Sequence, residues 1–336
     1  MPSAATTWTQ ISTTVRTTFM LESVRSRLRL ARLWSHDEVT RTAADLFTTP
    51  RRHARPAREH ALLLRANRFE VEAHLDAPGT AAWRTTIPAW RWGDGPPVVL
   101  VHGWEGRGAQ LGALVEPLVA AGLSVVAFDA PGHGDARGDR MLLADLAACL
   151  AAVIDRVGPI HGVVAHSLGA LATSRAIARG AVVPRVVYIA PATFIAGAID
   201  RFGDVVALAP EERSRLAAEM AARNGFGIDE ALPDELPEAL RPDALIIHDE
   251  EDRDVPLGES ERLAAAWPRA RLVTTRGLGH RRVLRDRAVI DHAAAFLVGD
   301  AAVLRAWPGD REAELRRATI AAWVDEVGAE DLAAAL

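Results

Sequence analysis

The chain has 336 residues, of which 49% are hydrophobic, 25% charged and 5% aromatic; this describes a folded globular protein of about two units, or one large α/β domain with additions, and excludes a disordered chain. A net charge of -5 and a sequence pI of about 6.1 lack the basic footprint of a nucleic-acid binder, so none is expected as a partner. One cysteine, Cys149, excludes an internal disulfide framework and any CxxC zinc or redox site, and the absence of lysine excludes Schiff-base or general-base lysine chemistry.

The first block, residues 1–70, carries twelve arginines against six carboxylates, so it is basic while the remainder is acidic. Its opening, Thr-rich through Thr18, lacks a charged segment followed by an apolar run, so no secretory signal is expected. No run approaches the roughly 18 apolar residues that span a bilayer, and a reducing, cytoplasmic setting is the expectation. Met20, Val24, Leu28 and Ala31 fall at helical spacing, with Arg25, Arg29 and Arg32 between them. Such a helix either lies on a membrane surface or packs on the body; the charge asymmetry favours packing. A second helix follows, with Asp37 as its cap, and Arg51–Arg58, with Pro50 before it and Pro56 within it, reads as a loop.

From residue 71 short apolar runs alternate with helical patterns. Val98–Val101, Ser124–Phe128, Ile160–Ala165, Arg185–Ile189, Asp243–Ile247 and Ala270–Thr274 read as strands. Ala109–Ala121, Met141–Val157 and Leu168–Arg179 read as helices, with a Gly/Pro loop from Asp129 to Gly138. Runs rich in Val and Ile without polar alternation indicate a mostly parallel sheet covered on both faces, a doubly wound α/β fold. The rhythm breaks over 193–241, which contains a helix at Pro210–Arg223 and is too long for an ordinary connection, so it reads as a helical cap inserted between core segments 71–192 and 242–299. A tail, 300–336, carries a helix near Asp310–Val327. Oligomeric state has no signature in the sequence.

The chemistry concentrates where strands end. Ala165-His166-Ser167-Leu168-Gly169 joins a strand to a helix, and a serine in that corner is either a nucleophile beside free backbone N–H groups or a simple helix cap. A serine hydroxyl needs a base to react. Of eleven histidines, His102, His133 and His166 sit in or beside Gly-containing turns and fit loop-holding roles, and His292 falls within the last helix pattern. His280, in Gly277-Leu278-Gly279-His280, follows a strand and sits at the carboxyl edge of the sheet, where ligands gather in such folds. An acid to orient it is sought in His248–Pro256, where Asp252 is preferred, Asp254 is the rival, and Arg253 and the other acids read as a solvated face; Asp200 and Asp204 are remote candidates. After the strand Val98–Val101, His102-Gly103-Trp104-Glu105-Gly106 offers a turn whose Trp104 N–H, with that of Leu168, suits an oxyanion hole.

Together, His102-Gly103-Trp104, Asp129-Ala130-Pro131-Gly132-His133-Gly134, the Ser167 corner, Asp252-Arg253-Asp254-Val255-Pro256 and Gly279-His280 resemble the ordered motifs of the α/β-hydrolase superfamily, over roughly residues 85–299. Ala165 departs from the glycine usual there. The resemblance implies a serine esterase or lipase-like enzyme with Ser167, His280 and Asp252 as triad, acting on a small-molecule carboxylic ester or thioester. Serine rather than aspartate at the corner argues against dehalogenase and epoxide hydrolase chemistry. An acyltransferase, amidase or peptidase would share the triad, and a non-catalytic hydrolase-like binding protein is the third alternative. Trp104, Phe194 and Phe202 are expected to line the substrate pocket, with Leu208 and Phe226 contributing from the cap. Arg281 and Arg282 read as surface residues or, alternatively, as a site for a substrate carboxylate or phosphate. No metal or cofactor is expected, since no HExxH, phosphate-cradling loop or convincing dinucleotide fingerprint occurs. Cys149 belongs to the core.

Overall fold

The apolar runs become strands of one eight-stranded sheet in the computed structural model, which describes residues 21–77, 80–227, 241–267 and 269–299. In chain order the strands are β1 (Asn67–Leu75), β2 (Trp83–Trp92), β3 (Pro97–Val101), β4 (Ser124–Phe128), β5 (Gly162–His166), β6 (Arg185–Ile189), β7 (Asp243–Asp249) and β8 (Ala270–Thr275), arranged β1-β2-β4-β3-β5-β6-β7-β8. The last six neighbours in that order run parallel, while β2 is antiparallel to both β1 and β4.

Side chains alternate across the sheet, so each buried strand feeds two cores. Val99, Val101, Val163, Ala165, Val186 and Tyr188 face one side with Leu146, Leu150, Leu171 and Ile177. Those partners come from α5 (Leu143–Val157) and α6 (Leu168–Ala178). Val98, Leu100, Val164, Val187 and Ile189 face the other side with Leu118, Val289 and Leu297, from α4 (Val115–Ala120) and the last described helix (Arg287–Val298). Each such aliphatic side chain, removed fully from water, contributes about 1.5–3 kcal/mol. This two-sided burial is why the strands read as continuous apolar runs.

β1 and β2 escaped the sequence reading because they do not follow that rule. β1 alternates exposed and buried residues from Glu70 to Leu75, as a half-covered edge strand does, and β2 is interrupted by Pro88 and flanked by polar residues. The helix expected at Ala109–Ala121 divides into a 3-10 segment, Gly108–Leu114, and α4, with Gly112 and Pro117 within the stretch. The strand expected at Asp243–Ile247 continues to Asp249.

The N-terminal block is helical over residues 21–32 (α1), His36–Phe47 (α2) and Ala57–Leu63 (α3). Leu28 and Ala31 are buried, so α1 packs on the body. Arg32 grips Glu212 with two hydrogen bonds, of 2.7 and 2.6 Å, and Arg25 donates to the Val205 carbonyl. Those acceptors lie between β6 and β7, in the pair α7 (Ala196–Val206) and α8 (Pro210–Asn224). The cap of α2 is Ser35, whose hydroxyl accepts from the Glu38 N–H at 3.1 Å, and not Asp37, which lies inside the first turn. Three expectations fall outside the described residues: Met20, the cap residues 228–240, and the tail with its helix at Asp310–Val327. No helix among the described residues is long and apolar enough to cross a membrane.

Candidate active site

β5 runs directly into α6, and the residue at the corner is Ser167, with φ 54° and ψ -123°. A non-glycine residue in that region stores roughly 1–3 kcal/mol of strain, sustained only where the surroundings enforce it. Here the enforcement is backbone pairing and close approach. The Ser167 N–H donates to Ile189 at 3.1 Å, and the Ser167 carbonyl accepts from Ala170 and Ala192. Gly169 lies so near β3 that a Cβ there would stand 2.7 Å from the Val101 carbonyl oxygen. The strain leaves the hydroxyl partly exposed at the carboxyl edge of the sheet.

His280 meets it there. Its Nε2 is 3.0 Å from Ser167 Oγ, and its Nδ1 is 2.7 Å from Asp252 Oδ2. Asp252 stands in the turn after β7; its other oxygen, Oδ1, accepts the Asp254 and Val255 N–H groups at 2.8 and 3.0 Å. Burial raises the Asp252 pKa, but the His280 hydrogen bond and charge, with the Val255 and Asp254 amides, outweigh it and hold the carboxyl below its ordinary value. The sequence therefore brings together, from three separate strand ends, a hydroxyl, an imidazole and an ionised carboxylate. Asp254 contributes only its backbone to this group. Asp204, in α7, is engaged with Arg213 of α8.

The loop after β3 closes over the serine. A Cβ on Gly103 would stand 2.8 Å from the Ser167 Cβ, so this backbone packs directly against the corner. The following Trp104 N–H has no hydrogen-bond partner among the described residues. The Leu168 N–H, first in α6, has no intrahelical acceptor.

A profile of the alpha/beta hydrolase family matches residues 98–295, which is more than half of the chain and spans Gly103, Ser167, Asp252 and His280. The chain belongs to the alpha/beta hydrolase family. Solved structures with the same fold include a Pyrococcus furiosus esterase, 18% identical, with a TM-score of 0.54 over 78% of this chain and 98% of that one. An Exiguobacterium antarcticum esterase is 17% identical, with a TM-score of 0.50 over 67% and 98%. A Bacillus anthracis bromoperoxidase is 18% identical, with a TM-score of 0.51 over 69% and 100%. No curated protein sequence matches the chain.

Histidines of this alpha/beta hydrolase that are not at the centre of the site hold its loops. His102 Nδ1–H donates to the Gly103 carbonyl at 2.8 Å and its Nε2 accepts from the Ala130 N–H. His133 Nδ1–H donates to Pro131, and its Nε2 accepts the Glu105 N–H at 3.0 Å. His166 Nε2–H donates to the His280 carbonyl. The His102 and His133 assignments, one nitrogen donating and the other accepting, each leave a neutral ring. Burial pushes their pKa values down, to about 4 for His102 and about 3 for His133 and His166. Asp129 goes the other way, pushed up to about 6 by burial although the Asp135 and Gly108 amides oppose it.

A strap from the N-terminal block, unassigned by sequence, covers the same loops. Arg51 makes two hydrogen bonds to Glu105, at 2.7 and 2.8 Å. Arg52 donates to the carbonyls of Gly134, Ala136 and Gly138, and Arg55 pairs with Asp129 and Asp135. Arginines that read as a basic stretch are thus engaged with specific carbonyls and carboxylates beside Trp104.

Trp104 is partly buried, with its ring edge-on to His133 at 5.4 Å. Phe202 packs edge-on against Phe47 at 5.4 Å, and Phe194 lies under the Arg262 guanidinium at 5.0 Å; neither of these contacts is with Ser167 or His280. Leu208 is buried in the core and Phe226 lies under Arg175. Arg281 is exposed, and Arg282 donates to the Gly277 carbonyl at 2.6 Å. The expectation that the acids around Asp252 form a solvated face fails at Asp249, which is fully buried at the end of β7.

Proposed function

We propose that this protein is a serine hydrolase cleaving carboxylic esters or thioesters of small to medium acyl chain, with Ser167 as nucleophile, His280 as general base and acid, and Asp252 as the orienting carboxylate. The observation that carries this reading is the single imidazole spanning Ser167 Oγ at 3.0 Å and Asp252 Oδ2 at 2.7 Å. Asp252 accepts the Nδ1–H, which leaves Nε2 unprotonated and able to take the hydroxyl proton. As that proton moves, Ser167 Oγ bonds to the acyl carbon and the carbonyl oxygen becomes an oxyanion. The Trp104 and Leu168 N–H groups receive it, and loss of one such donor typically costs about 2.7–4 kcal/mol in the transition state. Collapse breaks the bond to the leaving alcohol or thiol, which takes the proton from Nε2. Water, deprotonated by the same nitrogen, then releases the acid and restores Ser167. Trp104, next to the oxyanion position, forms one wall for the acyl group.

The test is labelling with a fluorophosphonate probe, followed by a series of p-nitrophenyl esters of increasing chain length. Labelling of the wild type, absent from Ser167→Ala, with hydrolysis favouring short or medium chains, is the expected result. Equal labelling of both proteins would refute the assignment. Products of transfer to added alcohols or amines, exceeding hydrolysis, would move the reading to an acyltransferase with the same three residues.

A further inference from the structure

The histidine loop is short and permissive. Between Thr275, the last residue of β8, and His280 it contains Gly277 and Gly279, both with positive φ, at 84° and 63°. Glycines in this region confer freedom rather than order. Something else must fix the imidazole, because a reacting group displaced by about 1 Å can lose roughly 100-fold in rate.

The fully buried Asp249 carboxylate lies at the base of that loop. Its Oδ2 accepts both the Thr275 hydroxyl at 2.7 Å and the Leu278 N–H at 2.9 Å, so one oxygen holds the loop at its beginning and near its end. Its Oδ1 accepts the Glu251 N–H at 3.0 Å, and its carbonyl accepts the Asp252 N–H at 3.1 Å. The same residue therefore ties the strand end that presents the imidazole to the turn that presents its orienting acid. No hydrogen bond joins it to His280 Nδ1, Nε2 or Ser167.

We infer that Asp249 is the positioning residue of the site, setting the reach of His280 to Ser167 and Asp252 through the Leu278 amide, the Thr275 hydroxyl and the Glu251 amide. The inference rests on the proposed triad and extends it by one residue. A buried carboxylate held by such donors is favoured in its ionised form; burial opposes this, but the amides of Gly279 and Leu278, the Thr275 hydroxyl and the Glu251 amide keep its pKa below the ordinary value. Asparagine at 249 retains the shape but turns one acceptor into a donor, so it faces an N–H with an N–H. Alanine removes every side-chain bond.

The experiment compares wild type, Asp249→Asn, Asp249→Ala and Thr275→Val. Each is measured for kcat and KM on a p-nitrophenyl ester at a temperature well below its melting point. The His280 imidazole is followed in parallel by 15N NMR. The expected result is a kcat lower by 10- to 100-fold in both Asp249 variants with KM changed less than threefold. Thr275→Val, which loses one of the bonds, should fall about threefold to tenfold. The His280 nitrogen signals should lose the signature of a single fixed tautomer. Folded variants with wild-type kcat and an unchanged His280 spectrum would overturn the inference and leave Asp249 a purely structural residue. Should the Asp249 variants not fold, Thr275→Val decides by the same two readouts. Wild type without esterase activity would refute the proposed function instead, and the spectrum alone would then decide whether Asp249 fixes the ring.

Discussion

The Nε2–H of His166 donates to the main-chain carbonyl of His280 at 2.9 Å, and their ring centroids are 4.6 Å apart. The residue before the proposed nucleophile thus holds the backbone of the proposed base. Burial lowers the His166 pKa to about 3, and both the neutral Nε2–H ring and the imidazolium carry this proton, so the donor is present across the ordinary pH range. Replacement by phenylalanine fills the space but leaves a largely dry carbonyl unpaired, which costs about 1–3 kcal/mol. His166→Phe is expected to lower the melting temperature and to reduce kcat about tenfold, with KM nearly unchanged. A variant that melts earlier yet turns over at the wild-type rate would separate the contact from catalysis.

Gly103 makes a sharper test of the oxyanion loop. A methyl group there would lie 2.8 Å from the Ser167 Cβ and 3.1 Å from the His166 carbonyl oxygen, so the loop must retreat. That retreat carries the Trp104 N–H away from the carbonyl it is proposed to bind. Gly103→Ala is expected to lose at least 100-fold in kcat and to react correspondingly slowly with a fluorophosphonate. Unaltered labelling would mean that this N–H takes no part.

Much of this arrangement was legible before the structure, for a physical reason. Strands buried on two faces and corners requiring glycine leave few residue choices, so Val98–Val101, the Ser167 corner and Gly279-His280 stand out against their surroundings. What escaped lies in long-range polar contacts. Asp249 sits among Glu250, Glu251 and Asp254, which are the solvated acids expected there, and nothing in its spacing marks it as the buried one. Arg51, Arg52 and Arg55 read as charge in a loop because their partners, Glu105, Gly134 and Asp129, lie 50 to 80 or so positions downstream. The capping of α2 by Ser35 rather than Asp37 is a two-residue ambiguity that only backbone angles resolve.

Ala165, the departure from the family's glycine, is fully buried at the end of β5 and pairs in register with Val101 and Tyr188. Its methyl group belongs to the core between the sheet and its covering helices, so the exception is accommodated where it stands. Glycine there would add unfolded-state freedom and remove a buried methyl, at a combined cost of about 1–2 kcal/mol. Ala165→Gly is accordingly expected to lower stability in urea by that amount while leaving kcat/KM within twofold. A gain in activity would show that the alanine limits the corner.

Stability should depend steeply on pH between about 6 and 5, for reasons contained in the loops around the site. His102, His133 and His166 are buried and neutral, with pKa values depressed to about 4, 3 and 3, whereas an unfolded histidine titrates near 6.5. Below pH 6.5 the unfolded chain therefore binds up to three protons at these rings that the folded chain refuses; His248 and His292, also lowered by burial, act in the same direction, and stability falls as pH falls. Asp129 opposes this: raised to about 6 in the folded state, it takes up a proton before its unfolded counterpart does, which offsets about one of the three. Asp249 and Asp252, both lowered, add to the loss only below the ordinary carboxylate range. For these four groups alone, a net uptake of about two protons on unfolding corresponds to roughly 2–3 kcal/mol lost per pH unit. Urea titrations at pH 6 and pH 5 should register that decrease, and Asp129→Asn, if folded, should steepen it towards three protons. Equal midpoints at the two pH values would mean that these rings are protonated inside the fold, contrary to their role as neutral holders of the loops.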